Sequence, residues 1–206
     1  MRVQPSEAVP RIVPIAERLG LQMGIEIHTP WLIEETSELI EHVDPVDSPA
    51  LGFIPDYGTF CYSPARVFLD RFLELGVPER IVSEVTGAWH VRTPADDVRA
   101  RVQELGGDEL AQLLVTESIV HFGYSDPRSM LQITPRIIHV HGRFFDINAD
   151  GTDGAVRFPE VVEVLQEGDY DGIMSCDYGS HHWSRGRDAV AQIKPLQEFI
   201  LNRVDG

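Results

Sequence analysis

Positive charge and cysteine are the two things this sequence is short of. Its 17 lysines and arginines are outnumbered by 33 acidic residues, leaving a formal net charge of −16 over 206 residues. That balance opposes a nucleic-acid partner, itself a polyanion, and equally an anionic membrane surface. The acids read as solvated helix faces. Two cysteines, Cys61 and Cys176, cannot make a disulfide framework. They point to a reducing cytoplasm, and both read as buried structural thiols rather than nucleophiles. No apolar run approaches the ~20 residues of a membrane span. Met1-Arg2-Val3-Gln4-Pro5 lacks the apolar core of a secretion signal. Repeats, low-complexity tracts and composition breaks are missing as well, so residues 1–206 read as a single domain, long enough to bury a core.

What is present is a recurring pattern. Four short apolar runs each end in a group able to bind a divalent metal: Gly24-Ile25-Glu26-Ile27-His28, Leu51-Gly52-Phe53-Ile54-Pro55-Asp56, Ile137-Ile138-His139-Val140-His141 and Ile173-Met174-Ser175-Cys176-Asp177. Parallel strands deliver the groups at their C-terminal ends to one common face. Three carboxylates with one or two imidazoles there make a hard, oxygen-rich site with nitrogen added. Such a site suits one divalent ion, Mn²⁺ first, with Mg²⁺, Co²⁺ or Zn²⁺ as substitutes. A carboxylate inside Ile25-Glu26-Ile27 would be buried and costly unless paired, which favours a ligand role for Glu26. Asp56, between Pro55 and Tyr57-Gly58, reads equally well as a turn residue. His139 and His141 share one side of a strand by the period of two. One of them is expected on the metal, the other on substrate or a backbone group. His28, two residues after Glu26 on the same face, is open to three roles: general base, substrate contact or rim histidine.

Helical stretches separate these runs, the signature of βα units on a parallel sheet. A helix is expected over 6–19, closed by Gly20. Thr29-Pro30 should open another that runs to about His42, and Ser63-Pro64 a third that Gly76 closes. From there to about Leu131 the chain should be helical in pieces, punctuated by Pro78, Pro94, Gly106-Gly107 and Asp126-Pro127. Pro159 opens a further helix, and the last covers 188–201. Only four strands can be placed, whereas a closed (β/α)₈ barrel needs eight. Either the long middle stretch hides strands, or this is about four βα units of an incomplete barrel. An open half-barrel leaves two unpaired edges and an exposed inner face, so a homo-oligomer or a second subunit is expected to cover it.

The motifs Gly24-Ile25-Glu26-Ile27-His28, Gly52-Phe53-Ile54-Pro55-Asp56-Tyr57-Gly58, His139-Val140-His141-Gly142-Arg143-Phe144 and Ser175-Cys176-Asp177-Tyr178 resemble the sugar phosphate isomerase/epimerase group, with its xylose-isomerase-like TIM barrel. Within that group they are most similar to C-glycoside deglycosidase catalytic subunits, over strands five to eight. The resemblance implies a metal held by Glu26, Asp56, His141 and Asp177. It implies Glu26 and Asp177 as the proton-transferring pair, with His28 as a base for elimination. Two departures stand out. The fourth ligand is usually glutamate, and Asp177 is one methylene shorter, a loss of reach of roughly 1.5 Å. The usual lysine after the third-strand histidine is Arg143, which keeps the charge but cannot readily serve as a base.

The implied chemistry is proton abstraction next to a carbonyl in a small sugar, keto-sugar or sugar glycoside, with epimerisation, isomerisation and C-glycoside elimination all open. A non-catalytic subunit or remnant that binds a partner chain is the alternative. A zinc nuclease on the same barrel is opposed by the charge. Substrate contacts are assigned to His139, Arg143, His182 and Arg185. The last two belong to a basic, aromatic loop, His181-His182-Trp183 with Arg185 and Arg187, which reads equally as plain surface. Trp31 and Phe60 stand where they could flank a sugar, although such residues are more often core. Asp146-Ile147-Asn148-Ala149-Asp150-Gly151 opens like an EF-hand loop, but its twelfth position is Arg157 instead of glutamate, so no calcium is expected.

Overall fold

In the computed structural model, residues 5–29, 46, 48–148, 150–184, 186 and 188–204 are described. Helix α1 (Pro5–Leu19) turns Val9, Val13 and Ala16 inward at helical spacing. It ends at Gly20, whose φ of +64° lets the Leu21 N–H reach back to the Ala16 carbonyl at 2.9 Å. Strand β1 (Met23–Ile27) follows at once and pairs in parallel with β2 (Leu51–Pro55), from Met23↔Leu51 to Ile27↔Pro55. The second pair, β3 (Val140–Phe144) and β4 (Met174–Tyr178), is also parallel, in the register Val140↔Met174 to Phe144↔Tyr178. Parallel bridges Phe53↔Ile137 and Asp56↔His141 join the pairs, so the strands lie side by side in chain order.

The strand alternation sorts the residues cleanly. Ile27, Phe53, Val140 and Phe144 face the helices and are buried, while the ionisable residues of the same strands face the other way. Below the ionisable groups, the inner face is filled by Ile54 and Ile138. A Cβ at Gly24 would collide with the Ile54 side chain, and one at Gly52 with Ile138.

Between β2 and β3 the described chain is mainly helical and adds no further strand to the sheet. It holds α2 (Arg66–Glu74), α3 (Glu79–His90), α4 (Ala95–Glu104) and α5 (Glu109–His121). The expected punctuation is where the helices break. Pro78 and Pro94 are the N-cap residues of α3 and α4, and Asp108 caps α5 by accepting from the Ala111 N–H at 3.0 Å. Helix α6 (Phe158–Glu167) starts next to Pro159, and α7 (Ala189–Val204) ends the described chain. The third strand begins later than expected, at Val140, because Thr134–Arg136 forms a 3₁₀ turn and Ile137 makes only a single bridge. The helix expected from Pro30 to about His42 lies outside the described residues. Among those described, no helix is long and apolar enough to cross a membrane.

An aromatic cluster fastens this helical excursion to the strand ends. Phe68 of α2 meets Phe122 and Trp183 at 5.0 Å between ring centres, and Phe122 meets Phe145 at 4.7 Å. Trp183 is therefore core, and so is the fully buried Phe60, rather than a platform for a sugar.

Candidate metal centre

Asp56 is the first residue past β2. Its N–H donates to the Ile27 carbonyl at 3.0 Å, which ties it to the end of β1, and it bridges to His141. Its two oxygens have different tasks. Oδ1 accepts from the Gly58 N–H at 2.7 Å and caps the 3₁₀ turn Tyr57–Thr59, as a turn aspartate should. Oδ2 is buried without a hydrogen bond, although Arg143 Nε stands 3.3 Å away. Burial pushes this carboxyl up to about 6; Arg143, His28 and the Gly58 N–H pull the other way, and Asp177 adds to the rise.

Across the sheet, His141 Nδ1 lies 2.7 Å from Glu26 Oε1. Glu26 is not the buried carboxylate its neighbours suggested. Its side chain is 45% exposed, because it faces the open inner side of the four strands while Ile27 takes the core. One ligand atom each from Glu26, Asp56 and His141 fall within 4.8 Å of one another. The cross-strand bridge between Asp56 and His141 brings two of them together, and the inward-facing register of β1 supplies the third.

Asp177 stands apart from this trio. It is the register partner of Arg143, on the same face of adjacent strands, and its Oδ2 lies 2.9 Å from Arg143 Nε and 2.8 Å from Nη2. Arg143 thus links Asp56 and Asp177, and its Nη1 also donates to His28 Nε2. With Nε2 accepting, the His28 proton resides on Nδ1, which donates to the Thr29 carbonyl at 2.5 Å. His139 pairs with Ser175, Nε2 to Oγ at 3.0 Å, and both burial and the neighbouring His141 lower its proton affinity.

Some expected site residues fall elsewhere. The side chain of His182 and the residues Arg185, Arg187 and Trp31 lie outside the described residues. Cys61 is fully buried and Cys176 about half-buried, and burial raises both thiols, as inert structural cysteines require. Asp153 ties together the backbone on either side of it, its buried carboxylate accepting from the N–H groups of Phe145, Asp146, Ala155 and Val156.

Two partners went unread in the sequence. Ser175, two residues before Asp177, was detectable by the period of two. The Thr29 carbonyl carries no side-chain signal at all.

A model of the xylose isomerase-like TIM barrel matches residues 2–202. The chain belongs to that family. It is 28% identical over 224 residues to the 3'-dehydrocarminate deglycosidase alpha subunit of a Microbacterium species, covering 100% of this chain and 64% of the relative. It is 26% identical over 214 residues to a C-glycoside deglycosidase alpha subunit of Arthrobacter globiformis, covering 95% and 58%. The chain therefore spans about three-fifths of the length of the curated relatives it matches.

Proposed function

We propose that the chain carries a divalent-metal site on Glu26, Asp56 and His141, with Asp177 as a further oxygen donor, and that this site acts on a sugar oxidised to a ketone. The observation that carries it is the convergence of the three donor atoms within 4.8 Å. The residues fit the ion. Asp56 Oδ2 is a buried carboxylate oxygen lacking a hydrogen bond, and two carboxylates with one imidazole suit Mn²⁺, Mg²⁺, Co²⁺ or Zn²⁺. A bound ion supplies Lewis-acid polarisation of a carbonyl oxygen.

The rest is work for the chain's own side chains. His28 is the base: the Nδ1–H bond to Thr29 fixes the tautomer that leaves the Nε2 lone pair available, and Arg143 Nη1 covers that lone pair until substrate displaces it. In a 3-keto glycoside, His28 Nε2 takes the proton from C2. The electron pair left on C2 forms the C1=C2 double bond as the C1–aglycone bond breaks, and the aglycone carbon takes up a proton. Glu26 and Asp177, on different strands, hold or return that proton in this reading. His139 and Arg143 bind sugar hydroxyls; the same role is proposed for His182 and Arg185, whose side chains lie outside the described residues. The relatives' names favour this elimination over epimerisation or isomerisation, which use the same first step.

The alternative is a non-catalytic, partner-binding subunit in the cytoplasm, favoured by the ion pair that keeps Asp177 on Arg143. In either case the relatives, named as alpha subunits, support a second subunit or second copy over the open face.

Elemental analysis of protein purified without chelator, followed by turnover of 3-keto C- and O-glycosides, tests the enzyme. Near-stoichiometric metal lost in Glu26→Ala, with release of aglycone, is the expected outcome. Protein that takes up no added Mn²⁺ sinks it.

A further inference from the structure

We propose that Arg143 is an internal counter-cation that competes with the divalent ion for the carboxylates, so that it limits metal affinity while holding the metal-free site together. The inference rests on the metal site proposed above. A single guanidinium stands 3.3 Å from Asp56 Oδ2 and 2.8 Å from Asp177 Oδ2, and also donates to His28 Nε2. It therefore engages two of the four ligands and the base at once.

Its position is built in. A Cβ at Gly58 would come within 3.1 Å of Arg143 Cδ, and one at Gly179 within 3.3 Å, so the stem runs through a slot that two glycines leave open. The side chain is only 16% exposed. Held by that slot, the positive charge stays beside the carboxylates when an ion arrives, and two cations on one carboxylate repel. Without the ion, the same charge compensates a fully buried Asp56 that has no hydrogen bond on Oδ2. The two consequences have opposite signs, which a merely structural arginine would not produce.

The test is calorimetric titration of the chelator-stripped chain with Mn²⁺ at pH 8, above the range where Asp56 takes up a proton, with thermal unfolding in chelator alongside. Arg143→Gln is expected to bind Mn²⁺ at least tenfold more tightly than the parent and to unfold at a lower temperature without metal. Arg143→Lys keeps the charge but offers no planar fork to span three partners, so its affinity should fall between the two. Should the glutamine variant not fold, the lysine variant decides, and equal or weaker binding by it overturns the proposal. Equal or weaker binding by a folded Arg143→Gln likewise overturns it and leaves the metal site standing. No uptake by any of the three proteins removes both.

Discussion

Replacing Asp56 by asparagine should make the metal-free protein more stable at neutral and alkaline pH while abolishing its response to metal. Asparagine keeps the oxygen that accepts from Gly58 and removes a charge from a side chain with no exposed surface. Burial raises this carboxyl from its ordinary 3.8 to about 6. At about 1.4 kcal/mol per pH unit, that displacement makes the ionised form about 3 kcal/mol less favourable in the folded chain. Because the folded value is the higher one, the Asp56 contribution to wild-type stability is greatest at low pH. It declines as pH rises from about 4 to about 6 and is flat beyond. The variant lacks this decline, so its advantage should be ~3 kcal/mol at pH 8 and largely vanish by pH 4. Urea unfolding in chelator at the two pH values measures the difference directly. Adding Mn²⁺ at a hundredfold excess over its dissociation constant should stabilise wild type by about 2.7 kcal/mol and leave the variant unmoved. A variant less stable than wild type at pH 8, or an advantage that does not change with pH, would refute the reasoning. In either case the Oδ2 environment would have to be far better compensated than its missing hydrogen bond indicates.

Glu26→Gln should weaken Mn²⁺ binding by at least about 100-fold yet cost under ~1 kcal/mol of stability, since its pair with His141 is solvent-exposed; calorimetry and chemical unfolding separate the two. His28→Asn should keep Mn²⁺ affinity within about threefold and abolish aglycone release if His28 is the base proposed above and not a ligand; a parallel loss of metal binding would contradict that role. Asp153→Asn puts an NH₂ group among four backbone N–H donors that now share a carboxylate, and should cost roughly 2–4 kcal/mol, read from the urea midpoint.

The inner face was legible because its signal is periodic. Glu26 and His28, His139 and His141, and Arg143 follow the two-residue alternation, and the buried partners between them follow it too. Helix breaks were equally readable, since Pro78, Pro94 and Gly106 act locally on the backbone. What stayed hidden depends on strand register. Nothing in the sequence announces that Arg143 is opposite Asp177, a pairing that holds the expected fourth ligand in an ion pair. The exposure of Glu26 was hidden for a similar reason. Two flanking isoleucines suggest burial, but only the arrangement of neighbouring strands decides how deep an inward side chain sits.

The site also straddles the least continuous part of the sheet. Glu26 and Asp56 come from the β1–β2 pair, His141 and Asp177 from the β3–β4 pair, and the pairs are joined by the bridges Phe53↔Ile137 and Asp56↔His141. Each strand pair has a five-residue ladder of its own, whereas the seam between them does not. The side-chain contacts of Glu26 with His141, and of Arg143 with Asp56 and His28, all cross that seam. An ion shared by donors from both pairs, as proposed, would add a further tie at the same place. Its binding energy would go partly into fixing one pair against the other, so Mn²⁺ should slow amide exchange along Ile137 to His141 and at Asp56 more than in the distant helices α3 and α4.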